Sequence, residues 1–159
     1  MYKRYHEYLI RDWTPGDRAA AADLIGRVLA EYHLGWEPQG ADQDVVQVEQ
    51  AYHAANGQFW VVERSSQLVG TAAFLPLGQG KQRVEIRKMY LETTARGQGL
   101  GQFLLTQLET EIQQAGYHSI LVETASVLQE AVALYEKNGY QPYDQVETQR
   151  CDRAYVKYL

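Results

Sequence analysis

Apolar residues recur along this chain with the spacing of helices in some segments and of strands in others. Leu100, Leu104, Leu108 and Ile112 recur every four residues, which predicts the buried face of an amphipathic helix. Similar patterns predict further helices over residues 19–32, 45–55 and 128–137. Short apolar runs bounded by polar turns predict strands over residues 8–13, 59–63, 68–77, 84–91, 119–124 and 153–158.

Residues that start or stop helices support these boundaries. Thr14 can cap the first helix, with Pro15 at its first position and Asp17 three residues after the cap. Gly116 is placed to end the helix that follows the glycine-rich run. Glycine and proline make 34–44 a loop, and 78–81 reads as a hairpin connection.

The order of these elements predicts the fold class. The strands over 84–91 and 119–124 are joined through a helix, so they are expected to run parallel. The remaining strands are close enough in sequence to pair antiparallel. We therefore expect one α/β (α+β) domain over residues 1–159, with a mixed, mostly antiparallel sheet of about seven strands and about four helices.

A glycine-rich run, Arg96-Gly97-Gln98-Gly99-Leu100-Gly101, lies between the strand over 84–91 and the following helix. Glycine lets the backbone approach a ligand closely, and a helix N-terminus offers unpaired N–H groups and partial positive charge. Together these features predict an anion site, most often for phosphate. A P-loop would need Lys-Ser/Thr after the last glycine, where Gln102-Phe103 stands, and a dinucleotide fingerprint would lie in the first strand–helix unit.

The run resembles the pyrophosphate-binding motif of the GNAT superfamily of acyl-CoA-dependent N-acyltransferases, Q/R-x-x-G-x-G/A, through Arg96, Gly99 and Gly101. Three further segments resemble that family in order: 10–17 its first strand and turn, 84–91 its central strand, and 131–140, Ala-Val-Ala-Leu-Tyr-Glu-Lys-Asn-Gly-Tyr, a late helix. The resemblance implies acetyl-CoA as co-substrate, and two central strands that splay apart around it.

The resemblance also implies which residues hold the co-substrate. The pyrophosphate is expected on the amides of residues 98–102, near the Arg96 side chain, whose guanidinium suits phosphate. The backbone of the central strand is expected to contact the pantetheine arm. The candidate cofactor-binding residues are thus Met89, Leu91, Arg96, Gly97, Gln98, Gly99, Leu100, Gly101 and Gln102.

Glu85 is the candidate general base, since it matches the strand glutamate that some family members use. Regular alternation would put Glu85, Arg87, Met89 and Leu91 on one face of the strand. Burial within the sheet would raise its pKa toward a useful value. An edge-exposed glutamate paired with a nearby arginine explains the residue equally well, and Glu123 on the neighbouring strand is a rival base.

Tyr135 is the candidate proton donor to the leaving thiolate, because it matches the tyrosine of the family's late helix. The ordinary structural explanation is an apolar stripe with Leu128 and Val132. One departure stands out: many family members carry asparagine three residues before the helix alanine, and here that position is Leu128.

The region between Val28 and Glu63 has aromatic and acidic residues and neither lysine nor arginine. This composition would attract a cationic amine acceptor, although solvated helix faces and a packed tryptophan explain it as well. The residues concerned are Glu31, Glu37, Asp42, Asp44, Glu49 and Glu63, with Tyr32, Trp36 and Tyr52 among them.

Composition narrows the partners further. A net charge of −5 argues against general nucleic-acid binding, and no run of roughly 20 apolar residues indicates a membrane span. The start of the chain lacks the apolar core of a secretion signal, and the one cysteine, Cys151, fits a reducing cytoplasm. The four histidines show no metal-binding spacing, so no metal is expected. Family members are often dimers, which leaves a homodimer open.

The leading hypothesis is an N-acetyltransferase that moves an acetyl group from acetyl-CoA to a primary amine, of a small molecule, a lysine or an N-terminus, by direct attack in a ternary complex. The alternative is a non-catalytic acyl-CoA-binding sensor or interaction module, which would need the glycines but neither Glu85 nor Tyr135. A nucleotide-binding protein is a third hypothesis, and it predicts protection by ATP or NAD instead of CoA.

Overall fold

One mixed sheet runs through this computed structural model, which describes residues 1–80 and 82–159. Within those residues it has eight strands, in the order β1-β2-β3-β4-β5-β6-β8-β7, and the β5–β6 pair is parallel while the other pairs are antiparallel. The strands are β1 (Tyr2–Tyr5), β2 (Tyr8–Asp12), β3 (Gln58–Arg64), β4 (Gln67–Leu77), β5 (Arg83–Leu91), β6 (Ser119–Thr124), β7 (Gln141–Tyr143) and β8 (Arg153–Tyr158).

The predicted α/β class with a parallel central pair is confirmed. The sheet exceeds the expected seven strands because β1 and β7 form its two edges. Both are short and largely exposed, so they lack the apolar alternation that marks a buried strand.

Five helices of the described chain flank the sheet: α1 (Arg18–Glu31), α2 (Gln43–Val46), α3 (Val48–Ala51), α4 (Leu100–Gln114) and α5 (Gln129–Lys137). The single helix expected over 45–55 is wrong. The backbone of Gln47 leaves the helical region at φ −127° and ψ 48°, so two one-turn helices and a 3-10 turn replace it. Packing overrides the local helical pattern here, since Val45, Val48 and Tyr52 are all fully buried.

The helices divide between the two faces of the sheet. Leu104, Leu108 and Ile112 of α4 pack with Ile86 and Val122 on one face. Ile25 and Leu29 of α1 pack with Val48 and Phe59 on the other. The predicted core face of the post-glycine helix is therefore the buried one.

The two parallel strands part midway along their length. Pairing runs from Arg83 with Ser119 to Ile86 with Val122, after which β5 continues to Leu91. β6 then keeps only its pairing with β8. This parting opens a wedge in the sheet, as the family resemblance implied.

A bulge in β5 changes which side chains face the wedge. Thr71 pairs with Tyr90 while Ala73 pairs with Arg87, and Lys88 adopts φ +52°. The predicted alternation is wrong as a result: Glu85 and Arg87 line one cavity, whereas Met89 and Leu91 pack against the core on the opposite face. The extra bulge residue resets the period of two.

Two further expectations concern chain segments outside the core. The β4–β5 connection follows the prediction at Gly78 and Gly80, which have φ of +69° and +81°, while Lys81 lies outside the described residues. None of the described helices is both long and apolar enough to cross a membrane.

Candidate active site

The N-terminus of α4 presents unpaired backbone donors beside the glycines. Gly97 and Gly99 have φ of +72° and +80°, which only glycine adopts without strain. Phe103 is the first residue of this turn whose N–H donates to a backbone carbonyl, that of Gly99 at 3.0 Å. Across the described residues, no protein acceptor is recorded for the N–H groups of 97–102. These donors can therefore bind an anion.

A cavity of about 500 Å³, the glycine-side cavity, lies against this turn. It is lined by most of the residues predicted for the co-substrate, namely Met89, Leu91, Arg96, Gly97, Gly99, Gly101 and Gln102. Gln98 and Leu100 do not line it: the Gln98 carbonyl accepts a hydrogen bond from the Tyr5 hydroxyl at 2.8 Å, and the Leu100 side chain is buried in the core.

Arg96 is positioned by contacts within the protein. Its Nε donates to the Leu91 carbonyl at 2.8 Å, and its Nη1 lies 2.8 Å from a Glu31 carboxylate oxygen. The ring of Tyr32 lies beneath the guanidinium. An incoming phosphate would compete with Glu31 for this side chain.

Lys137 at the end of α5 also lines the glycine-side cavity, and it was not singled out from the sequence. The ends of α4 and α5 are joined here by reciprocal amide hydrogen bonds between Gln102 and Asn138, at 2.8 and 2.9 Å. Because Arg96 and Lys137 both line the glycine-side cavity, two cations are present there. Lysine at the last turn of a helix is common for electrostatic reasons, so sequence alone gave no functional signal.

Tyr135 lies where the two strands part. Its side chain is buried, and its hydroxyl contacts Met89 Sδ at 4.0 Å, a weak acceptor. Burial raises the pKa of Tyr135 above its ordinary value, so the hydroxyl keeps its proton near neutral pH. A buried hydroxyl whose one recorded partner among the described residues is a thioether is suited to donate to a sulfur or oxygen that enters the wedge.

A second cavity of about 470 Å³, the Glu85 cavity, lies on the opposite face of β5. Glu85 is only 5% exposed and forms an ion pair with Arg87 at 2.6 Å. Burial raises the pKa of Glu85 above 4.5, while the hydrogen bond from Arg87 acts in the opposite direction. The expected burial of Glu85 is observed, and so is its pairing with an arginine, but the alternative of an edge-exposed glutamate is wrong.

Glu123 lines the same cavity but has structural partners. Its carboxylate accepts hydrogen bonds from the backbone N–H groups of Glu147 and Thr148 and from the Thr148 hydroxyl. Cys151 is also at this cavity, and burial raises the pKa of its thiol to about 11. Its thiolate is therefore scarce at neutral pH.

The α1–α2 loop, the β5 bulge and the β7–β8 loop are fastened together by a buried ionic cluster. Lys88 Nζ lies 2.7 Å from Asp42 Oδ1 and 3.1 Å from Asp44 Oδ1. Arg150 binds both oxygens of Asp42, at 2.6 and 3.0 Å. Burial alone would raise the pKa of Asp42, but Arg150 and Lys88 outweigh it and hold the pKa below 3.8. Lys88 and Arg150 were not identified from the sequence, because residues far apart in the chain form this cluster.

Asp42→Asn is expected to lower the free energy of unfolding by about 3 kcal/mol, because it leaves two cations with too few acceptors in a buried cluster. Because the folded pKa is depressed, this stabilisation is present above pH ~4, the ordinary range of an aspartate, and is lost on acidification through the folded pKa. Urea unfolding at pH 7 measures it. Glu49→Gln removes an exposed ion pair with Arg18, which water screens, so its loss of stability should be much smaller. Equal losses in the two variants would contradict a structural role for the cluster.

A third, smaller cavity of about 50 Å³, the narrow passage, lies where β5 and β6 part and shares lining residues with each of the two larger cavities. It shares Met89, Tyr90 and Tyr135 with the glycine-side cavity. It shares Arg87 and Glu123, as well as Tyr90, with the Glu85 cavity. Leu128, which stands where many family members have asparagine, lines the passage and the glycine-side cavity with an apolar side chain.

Most of the acidic residues between Val28 and Glu63 line neither of the two large cavities. Glu31, Glu37, Glu49 and Glu63 each pair with an arginine. Asp44 lines the Glu85 cavity and accepts a hydrogen bond from the buried Tyr52 hydroxyl. Within the described chain, no group of three or more His, Cys, Asp or Glu side chains is arranged to hold a metal ion.

Comparison with known proteins identifies the class that this fold and site define. Residues 22–140 match the model of the acetyltransferase (GNAT) family. The chain is 32% identical over 139 residues to the uncharacterized N-acetyltransferase YjgM of Escherichia coli (strain K12), covering 86% of this chain and 83% of that protein. It is 30% identical over 122 residues to the probable N-acetyltransferase family 8 member 5 of Mus musculus, covering 74% of this chain and 54% of that protein.

Solved structures share the whole fold. An acetyltransferase from Streptococcus agalactiae 2603 superposes with a TM-score of 0.87 at 23% identity, over 98% of this chain and 100% of that chain. yncA, a putative acetyltransferase of Salmonella typhimurium solved with its cofactor acetyl-CoA, gives a TM-score of 0.74 at 19% identity, over 96% and 94% of the two chains. The chain belongs to the GNAT acetyltransferase family, which confirms the resemblance carried by Arg96, Gly99, Gly101 and the late tyrosine helix.

Proposed function

We propose that this protein transfers an acetyl group from acetyl-CoA to a primary amine, of a small molecule, a lysine or an N-terminus, within a ternary complex. The observation that carries the proposal is the narrow passage between the two cavities. The buried hydroxyl of Tyr135 is at that passage, with anion-binding amides on one side and the carboxylate of Glu85 on the other. Two substrates can therefore meet without leaving their own cavities.

The glycine-side cavity has the groups needed to hold acetyl-CoA. The amides of 98–102 would bind the pyrophosphate, with Arg96 and Lys137 supplying positive charge. Met89 and Leu91 would flank the pantetheine arm, although the Leu91 carbonyl already accepts from Arg96. When bound, acetyl-CoA supplies an acetyl group activated as a thioester.

The protein residues then divide the proton transfers between them. Glu85 would take a proton from the attacking amine, directly or through water, because a neutral amine is the nucleophile. Tyr135 would hold its proton toward the leaving sulfur. The rigid strands on either side would position both substrates, from which much of the rate can come.

Glu85→Gln is expected to lower kcat/KM by about 100-fold at pH 7 and to remove one ionisation from its pH profile. Glu85 must be deprotonated to accept a proton, so wild-type activity should fall as pH drops through its pKa, which lies above 4.5. The ionisation of the amine appears in both proteins, so the difference isolates the carboxyl group. Glu123→Gln should still lose activity at low pH as the wild type does. The same loss in Glu85→Gln would show that Glu85 is not the base.

Thiol release from acetyl-CoA with a panel of amines tests the proposed function. Stoichiometric release with at least one amine is expected. Calorimetric binding of acetyl-CoA without release for any amine would favour the alternative, a non-catalytic sensor. We also propose that residues 1–159 act as one acyltransferase domain in the cytoplasm, given the one cysteine. A homodimer, which is frequent in the family, stays an open prediction.

A further inference from the structure

Arg87 is the charged group of the Glu85 cavity with donors to spare. Its side chain is 36% exposed and makes one recorded ion pair among the described residues, from Nη2 to Glu85. A guanidinium carries five N–H donors in a planar fork, and Arg87 lines the cavity with no acceptor other than Glu85 recorded among the described residues. Such a fork binds a carboxylate through two parallel hydrogen bonds.

The other cations of this cavity are already occupied. Lys88 donates to the Ala41 carbonyl and to Asp42, and it forms an ion pair with Asp44 at 3.1 Å. Arg150 is held by both oxygens of Asp42. Neither is free to bind a ligand without breaking the buried cluster, which leaves Arg87 as the anion-binding group.

One ion pair of the cavity offers both signs of charge to a ligand. Three carboxylates, Asp44, Glu85 and Glu123, line the cavity together with Arg87, Lys88 and Arg150, but Lys88 and Arg150 also neutralise the buried Asp42. Glu85 and Arg87 therefore present one negative and one positive group side by side. That arrangement is complementary to a molecule that carries an ammonium and a carboxylate close together.

We propose that the acceptor is a free α-amino acid, whose carboxylate binds Arg87 and whose amine lies against Glu85. This inference rests on the proposed acetyl transfer. It narrows the acceptor from primary amines in general to those with a carboxylate next to the amine. A lysine side chain within a protein lacks that neighbouring carboxylate.

Binding of such an acceptor would also activate the base. The hydrogen bond from Arg87 opposes the rise in the pKa of Glu85 that burial causes. A substrate carboxylate that binds Arg87 would weaken the hydrogen bond from Arg87 to Glu85. The pKa of Glu85 would then rise, so Glu85 would be a stronger base when an amino acid is bound. An amine without a carboxylate would leave the ion pair intact.

Thiol release from acetyl-CoA is measured with the twenty L-amino acids and with the corresponding L-amino-acid amides, on wild type, Arg87→Gln and Arg87→Lys. At least one free amino acid is expected to exceed its amide about 100-fold in kcat/KM with the wild type. Arg87→Gln should erase that preference, mainly through a higher KM, while the Kd of acetyl-CoA stays unchanged. Arg87→Lys keeps a positive charge beside Glu85, so it tests the fork where the glutamine variant fails to fold.

Arg83→Gln is the matched control. Arg83 is on the same strand but contacts Ser119 and Tyr143 instead of the cavity, so the preference should persist. Equal use of amides and free amino acids by the wild type would overturn the inference and leave acetyl transfer intact. Persistence of the preference in both Arg87 variants would overturn it as well. Absence of thiol release with every amine would overturn the proposed function together with this inference.

Discussion

Tyr135→Phe is expected to lower kcat by about 100-fold while the Kd of acetyl-CoA changes less than twofold. The substitution removes only the hydroxyl, whose protein partner is the weak acceptor Met89 Sδ, so the buried ring and its packing are retained. A general acid positioned at the leaving atom contributes about 10²–10⁴ in rate. Steady-state kinetics at saturating substrates and calorimetry with acetyl-CoA measure the two quantities.

Tyr140→Phe provides the control for the loss of a tyrosine hydroxyl. The ring of Tyr140 lies 5.5 Å from that of Tyr135, but its hydroxyl donates to Glu109 at 3.0 Å, and it lines neither cavity. The kcat of Tyr140→Phe should stay within about twofold of wild type, because the hydroxyl that it removes bonds to Glu109 and Tyr140 lines neither cavity nor the passage. Unchanged kcat in Tyr135→Phe at saturating substrate would remove Tyr135 from the chemistry and return it to the apolar stripe that the sequence also allowed.

Gly101→Asp is expected to weaken acetyl-CoA binding by at least about 100-fold without destabilising the fold. A Cβ at this position would meet Leu134 and Leu91 at 3.7 and 3.8 Å, which are ordinary contacts. A carboxylate in the first turn of α4 favours the helix through its dipole but repels a pyrophosphate at the same amides. The effects on stability and on binding therefore have opposite signs, and calorimetry together with thermal unfolding separates them.

Gly101→Ala adds the Cβ without the charge and should retain most of the affinity. Gly99→Asp is also expected to abolish binding, but Gly99 has φ +80° and its Cβ would lie 2.5 Å from the Tyr5 hydroxyl, so that variant mixes strain with repulsion. Wild-type affinity in Gly101→Asp would show that the co-substrate does not use this helix terminus.

The main elements of the fold could be predicted from sequence because their signals are local. One such signal is the four-residue spacing of Leu100, Leu104 and Leu108. Another is the apolar composition of the strands at the centre of the sheet. The strands at the edges could not be predicted, since exposed strands such as β1 lack the pattern. The helix over 45–55 failed because the break at Gln47 depends on packing.

The glycine-side cavity was the most predictable part of the site. Four residues of a motif contiguous in sequence, Arg96, Gly97, Gly99 and Gly101, line the same cavity where the strand leads into the helix. The Glu85 cavity was less predictable because distant segments build it. Arg150 meets Asp42 across 108 positions of sequence, and only the fold brings them together.

The bulge at Lys88 explains why the faces of β5 were assigned incorrectly. A period of two assumes an unbroken ladder, and one inserted residue puts Glu85 and Met89 on opposite sides of the strand. That displacement has a functional consequence. It puts the candidate base in one cavity and Met89, the residue proposed to contact the pantetheine arm, in the other, with Tyr135 between them.

A crystal structure of the complex with CoA tests most directly the claim that the two substrates meet at Tyr135. We expect the pyrophosphate on the amides of 98–102 and the sulfur within hydrogen-bond distance of the Tyr135 hydroxyl, in the passage between β5 and β6. A pyrophosphate bound away from the α4 N-terminus, or a sulfur outside that passage, would contradict it.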